Sequence, residues 1–160
     1  TSQTFDFVVG KAFLHHLTIP VEKLFLKETA RLLKADGEAR FFEPAVNNKI
    51  LDEIRWHIPV KGRPSKFSTK SFKVWKENDP HPDRSFSSKH FKKVGEKYFK
   101  RVDIISFGTL ERFSRILSKS KFRVKYRRWA FKNEKYLPGF INNSFARSQT
   151  IIYRKPLDSF

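Results

Sequence analysis

Few side chains in this sequence can move a proton or grip an anion in a defined way, and they are unevenly placed. His15 and His16 follow the short apolar run Phe5-Asp6-Phe7-Val8-Val9-Gly10. Glu43, then Asn47 and Asn48, follow a second run, Glu38-Ala39-Arg40-Phe41-Phe42-Glu43. If both runs are parallel strands, these residues leave their carboxyl ends, where open α/β sheets bind ligands. Histidine at such a place suits acid–base chemistry, because a neutral imidazole accepts a proton near neutral pH. The other reading of His15 and His16 is that they only order the loop through hydrogen bonds to backbone. Glu43 either hydrogen-bonds a polar ligand or lies in the loop as a solvated charge. Asn47 either touches a ligand or, like Asn48, caps a helix. His57, His81 and His90 are scattered and read as surface or loop residues. No group of His and carboxylates has metal-ligand spacing, and there is no Cys.

The elements that must position these groups alternate. The first run, ending in Gly10, reads as a buried parallel strand. Pro20 opens a helix with Val21, Leu24, Phe25, Ala30, Leu32 and Leu33 on a broad apolar face, and proline suits its first turn. Gly37 is placed to stop that helix. Residues 38–43 form the next strand, ended by Pro44. Asn47 or Asn48 starts a second helix with Ile50, Ile54 and Ile58 on one face, ended by Pro59. Residues 61–85, with Pro64, Pro80, Pro82 and many Lys and Ser, read as a long basic loop. Ser87 caps a helix carrying Phe91, Val94 and Tyr98. Residues 99–105 are a strand, Thr109 caps a helix near Leu110–Leu117, and residues 149–153 are the closing strand. The order is that of a doubly wound α/β sheet. Its 160 residues suffice for one domain, with 106–146 as a helical insertion before the last strand.

The charge is lopsided. Residues 1–60 hold eight Lys and Arg against eight Asp and Glu, whereas residues 61–160 hold 26 against eight. The whole net charge of +18 therefore lies in the later part. Such a field attracts phosphates, carboxylates, nucleic acid and anionic lipid. Between Lys119 and Lys135 the cations alternate with Phe122, Tyr126, Trp129 and Phe131. That pattern fits either contact with phosphates and flat bases or an amphipathic helix whose aromatics pack on the sheet. No apolar run is long enough to span a membrane, and no signal peptide is visible. The expectation is a cytoplasmic protein.

The run Asp6-Phe7-Val8-Val9-Gly10-Lys11-Ala12-Phe13-Leu14-His15-His16-Leu17 resembles the segment around the fourth strand of class I S-adenosylmethionine-dependent methyltransferases of the type 11/12 kind. Ala30-Arg31-Leu32-Leu33-Lys34-Ala35-Asp36-Gly37 is similar to that family's Arg-Val-Leu-Lys-Pro-Gly-Gly turn, with Ala35 and Asp36 departing from it. Phe41-Phe42-Glu43-Pro44 with Asn47-Asn48 resembles the end of the fifth strand. His81 to Ser87 resembles a segment before the next helix, and Ile151 to Pro156 the seventh strand.

The resemblance implies a partial Rossmann-like methyltransferase sheet, strands four to seven of seven, with S-adenosylmethionine as cofactor. It implies that Gly10, Lys11, Ala12 and Phe13 lie at the cofactor, that His15 is the catalytic base, and that His16, Glu43 and Asn47 face the acceptor. The acceptor would be an anionic small molecule or lipid-linked group under a basic cover formed by 106–146. The family's glycine-rich turn and the acidic residue after it have no counterpart among the six glycines. The chain, which opens on Thr1, is therefore expected to be the C-terminal half, with its first strand an exposed edge and weak cofactor affinity when alone. Other readings are a basic module that binds nucleic acid or anionic partners, and a degenerate methyltransferase acting as a partner-binding subunit.

Overall fold

Alternating side chains along three paired strands decide where the core lies. In this computed structural model, residues 3–60, 62–79, 87–118 and 120–157 are described. The strands are β1 (Phe5–Lys11), β2 (Leu33–Pro44), β3 (Phe99–Phe107) and β4 (Ser148–Pro156). They form one sheet in the order β1-β2-β4-β3, with β1 and β2 parallel and β2 and β4 antiparallel. The register aligns Val8 with Ala39 and Tyr153, and Gly10 with Phe41 and Ile151. Because side chains alternate across a pleated sheet, these residues share one face. Leu26 and Ala30 of helix α1 (Ile19–Leu32) join Phe91 and Val94 of helix α4 (Ser88–Gly95) in the same buried cluster as Ala39, Phe41, Ile151 and Tyr153.

The opposite face of β1 carries Phe7 and Val9, which are 69% and 78% exposed, beside Phe42 on β2. A parallel sheet is normally covered on both faces. Here Phe7 and Val9 face outward while Val8 faces the core, so β1 is not the buried strand its apolar run suggests; it lies at an edge of the sheet.

Contacts divide the chain into two units, where the sequence reads as one domain. The first comprises Thr1–Ala45, Pro82–Ser106 and Ser148–Phe160, and contains the sheet. The second comprises Val46–His81 and Phe107–Arg147. It holds α2 (Lys49–His57), α3 (Thr69–Glu77), α5 (Lys121–Glu134) and α6 (Gly139–Phe145). No helix among the described residues is long and apolar enough to cross a membrane.

Several local expectations hold. Pro20 lies in the first turn of α1. Ser87 accepts the His90 N–H, and Asn48 rather than Asn47 caps α2 through the Leu51 N–H. Others are corrected. Gly37 does not end α1: the helix passes at Leu33 directly into β2, and Gly37 lies at a register shift between β1 and β2. A Cβ there would stand 3.0 Å from the Lys34 carbonyl oxygen, so a larger residue would require the bulge to give by a few tenths of an ångström. The inward face of α1 is Glu22, Leu26, Thr29 and Ala30, while Val21 and Leu24 are exposed. Ile50, Ile54 and Ile58 of α2 are exposed as well.

The segment expected as a basic loop contains α3. Phe72 and Trp75, one turn apart, place their rings 5.7 Å from that of Trp56, which also carries the Arg55 and Arg63 guanidiniums. The aromatic cluster outweighs the Lys and Ser content that made the segment read as a loop. Thr109 caps no helix. A 3-10 turn runs from Glu111 to Arg115, and the Thr109 hydroxyl donates to the Asn142 side chain. Pro80, His81, Pro82 and the rest of the segment 80–86 lie outside the described residues.

Two side-chain arrangements in the sheet unit lead to measurable consequences. The Tyr153 ring lies against Gly95, where an added Cβ would come within 2.1 Å of Cε1. Tyr153 is fully buried and its hydroxyl donates to the Phe91 carbonyl, so the ring has little room to yield. Gly95→Ala should therefore cost about 1–3 kcal/mol in chemical denaturation. Glu38, largely buried, accepts from Arg40 and Arg154, and Arg154 also reaches Asp103 at 2.5 Å. The Arg40 hydrogen bond, helped by Arg154 and opposed by burial, holds the Glu38 carboxyl below its ordinary value of 4.5. The folded state therefore favours the ionised form. The associated stability is present above about pH 4.5 and is lost as pH falls further. Glu38→Gln should flatten that acid limb of the stability–pH curve.

Candidate functional site

The carboxyl ends of β1 and β2 lie side by side, with Lys11 opposite Phe42. Beyond them β1 enters a tight loop whose first residue, Ala12, has φ of +51°. This left-handed conformation is uncommon for a residue with a Cβ and is typical of ligand-binding loops. Phe13 leads into a 3-10 turn, Leu14–His16.

Glu43, at the end of β2 and fully buried, organises this turn. Its Oε1 accepts the backbone N–H groups of Phe13 (3.0 Å) and Leu14 (2.8 Å). Its Oε2 accepts the His15 N–H at 3.3 Å and faces His15 Nδ1 at 2.6 Å. An ionised carboxylate can only accept, so this contact is a hydrogen bond when the ring carries a proton on Nδ1. Glu43 is therefore not a solvated charge. His15 is itself only 7% exposed, whereas His16 is exposed with its ring 4.2 Å from that of His15.

The expected cofactor residues occupy distinct places. Gly10 faces the Phe41 ring, where a Cβ would stand 2.6 Å from Cδ1, so packing alone requires glycine. Lys11 holds its ammonium over the Phe42 ring, and the Phe13 ring packs edge-on against Phe25. An open groove on the outward face of the sheet is lined by Val9, Gly10, Lys11, Arg40, Phe42 and Thr150. Neither His15 nor Glu43 lines it. Asn47 belongs to the second unit and donates to the Asn143 carbonyl at 2.6 Å. The structure thus joins His15 to Glu43 within the sheet unit, while Asn47 belongs to the other unit. Among the described residues no cluster of His and carboxylates could hold a metal ion.

His90 is not a surface residue. Its Nε2 lies 2.8 Å from the fully buried carboxylate of Glu22, linking α4 to α1. The sequence offered a signal for this pair in Glu22, an acid on the apolar side of α1 that demands a partner.

No protein-family model and no curated protein matches the sequence. Solved structures do match. A methyltransferase dependent on S-adenosylmethionine from Archaeoglobus fulgidus aligns over 96% of this chain at 15% identity and a TM-score of 0.53. A chain from the Haloferax volcanii complex of the Trm112 methyltransferase activator with a methyltransferase aligns over 99%, at 12% identity and a TM-score of 0.53. Haemonchus contortus phosphoethanolamine N-methyltransferase 2 aligns over 98%, at 13% identity and a TM-score of 0.50. This chain spans 61%, 57% and 34% of those three chains. Its four-stranded mixed sheet with flanking helices therefore resembles part of the Rossmann-like fold of those methyltransferases.

The Glu43 contacts fix what its removal should do. Glu43→Gln keeps the shape but replaces a charged acceptor of several N–H groups with a neutral amide. Each hydrogen bond to a charged group is worth about 1.5–3 kcal/mol, so the variant should lose at least about 1.5 kcal/mol. Amide exchange at Phe13, Leu14 and His15 should accelerate more than exchange at Ile151 and Tyr153 in the core.

Proposed function

We propose that this chain forms the acceptor-side part of an S-adenosylmethionine-dependent methyltransferase acting on a small acidic or phosphorylated acceptor. The observation that carries the reading is the Glu43–His15 pair at the carboxyl ends of two parallel strands, within a fold matched by enzymes that use this cofactor. In this reading β1 to β4 correspond to strands four, five, six and seven of a seven-stranded sheet.

The residues present suit only part of the cofactor. The strained loop from Gly10 to Phe13 would run beside its methionine portion. The groove contains no acidic side chain to take ribose hydroxyls, and no glycine-rich turn accompanies it. A complementary polypeptide segment would add a strand along β1, cover Phe7 and Val9, and supply both features. When bound, the cofactor supplies an electrophilic methyl group. The chain's own task is to align and deprotonate the acceptor. Glu43 holds the imidazole by Nδ1–H, and Nε2 of His15 takes the proton from the acceptor hydroxyl. The net charge of +18 favours an anionic acceptor, and the exposed His16 ring stands beside His15.

The test has two arms. Titration of the isolated chain with S-adenosylhomocysteine, followed by amide NMR, should give binding weaker than micromolar, with shifts concentrated at Gly10–His16. Micromolar affinity would overturn the incomplete-site reading, and an absence of shifts there at saturating ligand would overturn the cofactor assignment. In the assembled enzyme, His15→Gln should lower kcat by about 10²–10⁴ while leaving that shift pattern intact. An unchanged kcat would exclude His15 as the base.

A further inference from the structure

Helix α5 leaves three of its four aromatics exposed, while Tyr126 is half-buried and donates to the Leu110 carbonyl. Phe122 is 63% exposed, Trp129 53% and Phe131 48%. Of the two readings of this stretch, packing of the aromatics is not what these three residues do. The cations between them are ordered by the helix. Lys121, Lys125, Arg128 and Lys132 follow the spacing i, i+4, i+7, i+11, which places them within an arc of about 60° and along about 16 Å of axis. All four are exposed. Phe122 and Trp129 lie on one side of this stripe, and Val124 and Phe131 on the other, each about 60–100° away.

The stripe lacks counter-charges. The one acid of α5, Glu134, is buried and accepts the N–H groups of Gly108 and Thr109. Nearby Glu111 is occupied by Arg127 and Arg147. Among the described residues no carboxylate forms an ion pair with any of the four cations. The second unit as a whole has 19 Lys and Arg against six Asp and Glu.

We infer that this face of α5 binds single-stranded nucleic acid. The cation stripe follows the phosphate backbone, and bases splayed to either side stack on Trp129 and Phe122 or on Phe131. Like-charged side chains in a row call for a polyanion whose charges repeat along a line. Exposed aromatics flanking that row call for flat faces beside the charges, which unpaired bases offer and a duplex does not. An anionic membrane fits less well. An interfacial helix buries one continuous apolar face, whereas the apolar side chains of α5 are split by the cations. This inference goes beyond methyl transfer and is tested without cofactor, so either reading can fail alone.

The test is fluorescence anisotropy of the full chain with labelled oligo(U) and oligo(dU) across a salt series from about 0.05 M. Log affinity should fall linearly with log salt, with a slope of about −0.7 per phosphate neutralised and up to about −3 for the stripe. Lys125→Gln with Arg128→Gln should reduce the magnitude of the slope by about 1.4. Trp129→Ala should weaken binding by about fivefold or more at unchanged slope. Circular dichroism of each variant excludes loss of the helix as the cause. Stronger binding to oligo(U) than to oligo(dU), which differs from it in the 2′-hydroxyl alone, would identify that hydroxyl as part of the recognition, and equal binding would identify the shared phosphates and bases. The inference is overturned by absence of binding at the lowest salt, by variants that bind like the parent, by equal binding to duplex, or by preference for vesicles of anionic lipid.

Discussion

One buried carboxylate holds the loop at the carboxyl ends of the sheet in place. Glu43 ends β2, but its oxygens serve the loop that leaves β1, through three backbone N–H groups and the His15 ring. A buried charge is tolerable only when its lone pairs are taken up, and here the loop is the only supplier named by those contacts. The loop must therefore turn as it does, with Ala12 in the left-handed region and a 3-10 turn behind it. The parallel pairing of β1 with β2 brings the two ends together. The position of His15 follows from that register, and a slip of one residue would turn Gly10 away from Phe41 and replace it with a side chain that does not fit.

The same register separates a finished face from an unfinished one. On the finished face, Ala39, Phe41, Ile151 and Tyr153 meet α1 and α4, and each tight contact selects a small partner: Gly10 under Phe41, Gly95 under Tyr153. On the other face Phe7 and Val9 stand in solvent while Glu38, Arg40, Arg154 and Asp103 form a charged network farther into the sheet. Polar side chains that complete one another need no cover, but exposed apolar side chains on an edge strand are a cost unless something packs on them.

Much of this was legible in the sequence because it depends on local spacing. Strands at Phe5–Gly10, Glu38–Glu43, Phe99–Ile105 and Gln149–Tyr153 lie inside the observed strands, and Ser87 and Asn48 act as the caps their types suggest. His15 and Glu43 were both recognisable as residues at strand ends. Their union was not, since a contact across 28 positions leaves no periodic trace. Three failures share a cause. The α3 helix is held by Trp56, Phe72 and Trp75, His90 by Glu22, and Gly37 by a bulge. Each is decided by a partner distant in sequence, while local composition pointed to a loop, a surface residue and a helix stop.

The aromatics of α5 left two readings open for a different reason. An alternation of Phe, Trp and cations suggests an amphipathic helix only if the apolar residues fall on one side. At 100° per residue they do not: Phe122 and Trp129 fall on one flank of the Lys121–Lys132 stripe, and Phe131 on the other. A helix patterned in this way has no single face to bury, so burial by packing was never available to all of its large side chains. Ala130 and Glu134 are its buried residues, both on the narrow side opposite the cations. What remains outward is an arc whose charge and ring faces are jointly accessible. The sequence specifies that arc as firmly as it specifies the strands of the sheet, by the same arithmetic of period against side-chain type.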